Sequence, residues 1–160
     1  MKVNKIFELT VEEKLEITGA TLLSIEEAKN YLTKGEREYD FWWWLRSPGN
    51  NSSSAALVVS GGSIGGGGDY VDYTLACVRP ALQIKKLESS NFEIGDTFKF
   101  GSYEFKIISE NLAWMYKQDI GCCAFNEDIR KGNDYETSNI KNFVDKWFEI
   151  LMFNNWRKDK

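Results

Sequence analysis

Three consecutive tryptophans, Trp42-Trp43-Trp44, constrain this chain more than any other feature. Side chains of an extended strand alternate between its two faces, so Trp42 and Trp44 share one side and Trp43 takes the other. Either both faces are covered, or one of them is a binding surface; the covered arrangement is the preferred reading. Residues 41–46 therefore read as a buried strand, with Ser47-Pro48-Gly49 stopping it. A strand covered twice needs a layer on each side. The 160 residues, 42% of them hydrophobic, suffice for one such core and are too few for two ordinary domains.

Composition excludes several functions. Histidine is absent, which removes Ser-His-Asp and Cys-His catalysis and every histidine-containing metal site. A net charge of −4 argues against general nucleic-acid binding. No apolar run approaches the ~18 residues of a membrane span. The opening MKVNKIFELTVEEKLE is too charged for a signal peptide, so a cytoplasmic or virion-associated protein is expected. The three cysteines, Cys77, Cys122 and Cys123, lack C-x-x-C spacing and argue against a disulfide framework or zinc site. Incidental thiols in a reducing compartment are the expectation.

Along the chain, Thr10 with Glu13 forms a T-x-x-E capping box that predicts a helix over 11–17. Ser24 with Glu27 repeats it and predicts a helix over 25–32. Residues 55–59 are strand-like. Residues 78–84 are extended, with Pro80 implying an edge or an unpaired N–H. The polar stretch 85–96 reads as the main internal connection. Strands are predicted over 97–101, 103–109 and 112–117, with Gly101-Ser102 as a tight turn. Ile140, Phe143, Val144, Trp147, Phe148, Leu151 and Met152 recur at steps of three and four. That is the apolar stripe of a helix of about three to four turns, capped by Thr137 or Ser138.

Residues 50–77 are anomalous. They contain no Lys, Glu, Gln, Trp or Met, although these five types fill 41 of the other 132 positions. A typical segment of this length would hold about nine. What remains is rich in Tyr, Ser, Gly and Asn, the mixture of antibody paratopes. A flexible Gly/Ser linker is the competing reading. The apolar Ala55-Ala56-Leu57-Val58-Val59 and the firm flanking segments weigh against it. A phosphate-binding glycine loop is disfavoured, because Gly65-Gly66-Gly67-Gly68 lacks both a Gly-Lys-Ser/Thr ending and a following amphipathic helix.

Trp42-Trp43-Trp44-Leu45-Arg46-Ser47-Pro48-Gly49, then Ala55-Ala56 and Val58, and finally Val78-Arg79-Pro80-Ala81-Leu82 resemble a WWLRSPG…GVRPAL signature. It belongs to a bacterial and phage family with a C-type-lectin-like fold, the fold shared by formylglycine-generating enzymes. Some members are the variable proteins of diversity-generating retroelements. There, template Asn codons of the form AAC become codons ending in C, which never encode Lys, Glu, Gln, Trp or Met. The resemblance thus implies a cause for the gap. Residues 95–105 and 138–148 resemble the family's opening strands and first helix, but here they follow the VRPAL strand. The implied fold is α+β and C-type-lectin-like, circularly permuted, with two to three helices packed on twisted antiparallel sheets. One domain over 1–160 is expected: residues 1–84, a permutation linker over 85–96, then residues 97–160. Residues 78–84 should pair antiparallel with 98–108, and Met1 should lie near Lys160.

The resemblance implies a hypervariable, non-enzymatic binding protein. Its diversified positions would be Asn50, Asn51, Ser52, Ser53, Ser54, Val59, Ser60, Ser63, Ile64, Gly65, Gly66, Gly67, Gly68, Asp69, Tyr70, Asp72 and Tyr73. Trp42, Trp44, Arg46, Ala55, Ala56, Val58 and Arg79 would be scaffold. Tyr70 and Tyr73 are the candidate anchors. For Arg46 and Arg79 an ion-pairing or carbonyl-capping role is preferred over ligand contact. Glycines in a diversified segment would say little about backbone need. The expected partner is a protein or other macromolecule; nucleic acid and membrane are not expected, and a homo-oligomer is allowed. No cofactor or metal is expected. The alternatives are a structural or assembly module and a formylglycine-generating-type oxidase, for which Cys77 with Cys122 or Cys123 would be the redox pair.

Overall fold

The computed structural model describes residues 15–86 and 92–158. It is an α+β structure with two antiparallel sheets. The larger sheet has five strands: β1 (Leu15–Thr21), β5 (Ala81–Lys86), β8 (Leu112–Trp114), β7 (Tyr103–Ser109) and β6 (Thr97–Phe100), in that spatial order. The smaller contains β2 (Trp43–Pro48), β3 (Ser54–Val58) and β4 (Ile64–Tyr70), with β3 central. Among the described residues three α-helices accompany them: α1 (Ile25–Tyr31), the single-turn α2 (Lys34–Arg37) and α3 (Asn139–Lys158).

The tryptophan alternation sets the layers. Trp43 and Leu45 pack with Ala28 of α1, with Leu32 just after it and with Trp114 of the large sheet. Trp44 faces the opposite way, onto Phe125, Ile140 and Val144. β3 is likewise buried on both sides: Ala56 and Val58 join Trp43, whereas Ala55 and Leu57 join Trp44. A five-residue strand without an exposed position has no use for alternation, which is why 55–58, after the buried Ser54, is a continuous apolar run. A third cluster lies between the large sheet and α3, where Phe98, Phe105 and Ile84 meet Trp147, Phe148 and Leu151.

Several local expectations are met. Ser24 and Glu27 form a reciprocal capping box at α1. Ser138 Oγ accepts from Lys141 N at 3.1 Å at the start of α3. Phe100 pairs with Tyr103 across Gly101-Ser102, and Gly101 has φ +65°, as a two-residue hairpin turn requires. The α3 stripe holds for Ile140, Val144 and Leu151, while Phe143 sits exposed at its rim.

Others are corrected. The helix expected over 11–17 lies largely outside the described residues, and its end, Leu15 to Ile17, belongs to β1. There the cross-strand partners Lys86, Lys85 and Ile84 override the local capping signal. β2 runs on through Ser47 and Pro48, which pairs with Ala55, instead of stopping at Arg46. Pro80 does not mark an edge. It precedes β5, an interior strand between β1 and β8, and its carbonyl accepts from Met115 N at 3.1 Å.

The expected pairing of 78–84 with 98–108 is also replaced. β8, buried at all three positions, sits between β5 and β7. Such a strand belongs in a sheet interior, which pushes the β6–β7 hairpin outward. The connection over 85–96 is partly structured: Gly95 N donates to Ile107 O at 2.7 Å, Ile107 N donates to Asp96 O at 2.8 Å, and Phe92 is buried. Residues 87–91 lie outside the described part, as do Met1 and Lys160 and hence their expected proximity.

Candidate functional site: the small-sheet surface

The glycine run is an edge strand with a three-residue bulge. Ala55 pairs with Asp69 and Leu57 with Gly65, so Gly66, Gly67 and Gly68 stand opposite Ala56 alone. β2 is irregular at the same level, between Trp44 and Pro48. There Arg46 turns to donate from Nη1 to Glu27 Oε1 at 2.6 Å and Leu22 O at 2.7 Å, and from Nη2 to Glu27 Oε2 at 3.2 Å. Ser47 Oγ accepts from Ile25 N at 2.9 Å. The bonds to Glu27 and from Ile25 tie the bend to the start of α1. Burial works to raise the Glu27 pKa, but Arg46 and the capping N–H of Ser24 hold it below the usual glutamate value.

Beside the bulge, the turn 49–54 is closed by its own groups. Gly49 N donates to Ser54 O at 2.7 Å, and Asn51 Oδ1 accepts from Ser53 N at 2.9 Å. Asn50 N donates to Gly67 O at 3.0 Å, joining turn to bulge. Asn133, from the second half of the chain, clamps the turn by donating to Asn51 O and Ser54 O, each at 3.0 Å. Val71 is fully buried beneath, and its N–H donates to Ser53 O at 2.8 Å.

The expected diversified positions therefore separate into two groups. Asn50, Asn51, Ser52, Ser53, Gly66, Gly67, Asp69, Tyr70, Asp72 and Tyr73 gather at the end of β3 where the chain enters it. Val59, Ser60, Ser63 and Ile64 lie at the opposite end, roughly 15 Å away along the strand. There Tyr39 N donates to Ser60 O at 3.1 Å. Gly65 connects the groups. Tyr70 is 57% exposed, whereas Tyr73 is half-buried against Trp42 and Trp44, with ring centroids 6.0 and 6.5 Å apart.

Two of these positions belong to the frame. Ser54 is buried, with Oγ donating to Asn51 Oδ1 at 3.1 Å. Gly68 has φ +78°, and a β-carbon there would lie 2.1 Å from Ala55 O. The expectation that these glycines say little about backbone need fails at Gly68, since its left-handed conformation is required by the bulge. It holds at Gly66, where a β-carbon meets only Ile25 Cδ1, at 4.0 Å. Two further residues belong to this surface without any signal in the sequence: Asn133, which no local pattern marks, and Leu75, an exposed apolar side chain within the segment.

Beneath the sheet lies the scaffold. Arg79 is 1% exposed, with Cζ 4.0 Å over the ring of Tyr39, 4.4 Å over Trp114 and 4.9 Å over Trp43. Its Nε donates to Gln118 O at 3.1 Å, while both Nη atoms are buried without a hydrogen-bond partner among the described residues. Burial pulls its pKa down to about 10, so it stays a cation at neutral pH. Burial also pushes Tyr39 up to about 12, aided by the Asp119 carboxylate that its hydroxyl donates to.

The cysteine expectation is overturned: Cys77 and Cys122 form a disulfide. They lie opposite each other in an antiparallel bridge, with Cys77 also bridged to Trp43 of β2. Cys123 is the free thiol, and burial pushes its pKa up to about 11. Asp119 places a carboxylate oxygen within 4.8 Å of both bridged sulfurs. Forty-five residues separate the two cysteines, so nothing local in the sequence announces their pairing. Among the described residues no helix is long and apolar enough to cross a membrane.

No curated protein and no solved structure matches the chain. Residues 3–86, from before the described part to the last residue of β5, match the family described as "Domain of unknown function (DUF6273)". That stretch is more than half of the 160 residues and holds the tryptophan strand, the glycine bulge and the VRPAL segment; the chain belongs to this family.

Proposed function

We propose that the chain is a target-binding protein whose surface is diversified by a retroelement and carried on a circularly permuted C-type-lectin-like domain. The observation that carries this reading is a separation by burial. Among the expected diversified positions, all but Ser54 are exposed or half-buried. Of the expected scaffold, Trp44, Ala55, Ala56, Val58 and Arg79 are at most 1% exposed, while Trp42 and Arg46 are half-buried. Copying errors confined to such positions change what the surface contacts while leaving the core volume alone. The working set is the proposed one without Ser54 and Gly68, and its main face is the turn–bulge end, where Tyr70 offers a large, torsionally stiff contact. Asp69 and Asp72 favour a basic target surface.

Permutation requires the two halves to share one fold, and β5 of the first pairs with β8 of the second, in place of the expected partner 98–108. As a spacer in an assembly module, residues 60–70 would be an unpaired loop, whereas Ile64–Tyr70 is a paired strand. The test is genetic. The gene should stand beside a reverse transcriptase and a near-identical repeat carrying Asn codons at the surface positions. A locus with neither would overturn the proposal.

A further inference from the structure

Cys77, Cys122 and Asp119 form a cluster that the binding surface does not use. We propose that, once the Cys77–Cys122 bond is reduced, the two thiolates and the Asp119 carboxylate bind one zinc ion, so that the disulfide gates a metal site. This is independent of the diversified surface.

The first support is that the backbone, not only the S–S bond, holds the sulfurs together. Val78 N donates to Gly121 O at 2.8 Å and Cys123 N donates to Ala76 O at 3.1 Å, one bond on each side of the cysteine pair. On its other flank Cys77 is fixed by Cys77 N to Trp42 O at 2.7 Å and Trp44 N to Cys77 O at 3.0 Å. Reduction leaves these four bonds in place, and a dithiol remains within reach of a single ion. Thiolates are soft ligands suited to zinc, and with no histidine in the chain the carboxylate is the natural third donor.

The second support is the orientation of Asp119. Oδ1 accepts from Gly121 N at 2.8 Å and Oδ2 accepts from the Tyr39 hydroxyl. A metal-binding carboxylate is commonly steered by such outer partners. The third is charge. Two thiolates and a carboxylate around a divalent ion leave one net negative charge. Arg79, two residues from Cys77 and stacked on Tyr39, is a buried cation with both Nη atoms unpartnered among the described residues. Cys77 is fully buried and Cys122 is exposed, so the open coordination position would face solvent. Cys123 takes no part, because adjacent residues of an extended segment point to opposite faces and it packs with the Trp44 cluster.

Opening the site requires a thiol reductant, RSH. A thiolate RS⁻ attacks the accessible Cys122 sulfur, the Cys77–Cys122 bond breaks, and its electron pair leaves on Cys77. A second RS⁻ attacks the R-bearing sulfur of the mixed disulfide and releases the Cys122 thiolate. RSSR is the oxidised product, the two protons of the two RSH go to solvent, and zinc takes the two thiolates.

The test uses the full chain, oxidised or reduced with a phosphine, titrated with cobalt(II) and then zinc. The reduced chain should take up one cobalt, with the visible bands of a tetrahedral site and thiolate charge-transfer absorption, all displaced by zinc. The oxidised chain should show none. Asp119→Asn should weaken binding at least about tenfold, and Tyr39→Phe by a similar factor. Cys122→Ser should abolish the charge-transfer band, and Cys123→Ser should leave it unchanged. Near-ultraviolet circular dichroism of the tryptophans reports whether the reduced fold persists. The proposal is overturned if the reduced, folded chain binds no cobalt, if reduction collapses the fold, or if Asp119→Asn binds as tightly as the parent.

Discussion

Gly68 and Gly66 are two residues apart in one run of glycines and have opposite requirements. Gly68→Ala forces an L-residue into the left-handed region and its β-carbon onto Ala55 O, so a loss of about 2 kcal/mol or more is expected. Gly66→Ala should fall within about 0.5 kcal/mol of the parent. Urea midpoints of the two variants measure the contrast. Glu27 provides a second residue-level expectation. Its folded pKa lies below its unfolded one, so its stabilisation is present above the ordinary glutamate value of 4.5 and is lost as pH falls through the folded value. Glu27→Gln should therefore lose less stability than the parent on acidification below about pH 4.5. The tryptophan alternation could be read from the sequence because a strand has a period of two. Neither the Gly68 conformation nor the Cys77–Cys122 bond could, since each is set by a neighbour from another strand.

At the scale of elements, β4 separates an ordered surface from a spacer. Backbone amides of Ile64–Tyr70 that pair with β3 should exchange slowly, by hydrogen-exchange mass spectrometry, and random-coil exchange there would contradict the paired strand. At the head of α3, Ser138 Oγ donates to Tyr135 O at 2.7 Å and caps Lys141 N. Ser138→Ala should cost about 1–2 kcal/mol by thermal or urea unfolding. Elements with strong internal signals, such as α1 with its capping box, the Gly101-Ser102 hairpin and the start of α3, lie close to where the sequence puts them, although α3 runs on to Lys158, past the three to four turns of its apolar stripe. β1 was not, because its conformation comes from pairing with β5 and its local sequence carries a helix-start motif instead. The place of β8 between β5 and β7 was equally hidden, since strand order is a property of the assembled sheet.

For the whole molecule, the two halves of the chain complete each other. β8 pairs with β5, Glu36 pairs with Lys106, Trp44 Nε1 donates to Cys123 O at 2.8 Å, and Asn133 clamps the 49–54 turn. A fragment ending at Lys86 leaves β5 without one neighbour and strips Phe125, Ile140 and Val144 from the Trp44 cluster. It should show no cooperative unfolding transition alone and should regain native near-ultraviolet dichroism when mixed with residues 92–160. Independent folding of either piece would contradict a shared core.

Whether a mutable surface is mounted on this fixed core is decided by sequencing copies of the gene from independent isolates. Substitutions are expected at the exposed and half-buried positions, Asn50, Asn51, Ser52, Ser53, Tyr70, Asp72 and their neighbours. Codons there should end in C, and Gly68, Ala55, Ala56 and Val58 should remain unchanged. Substitutions scattered along the chain, or falling on those buried positions, would contradict it.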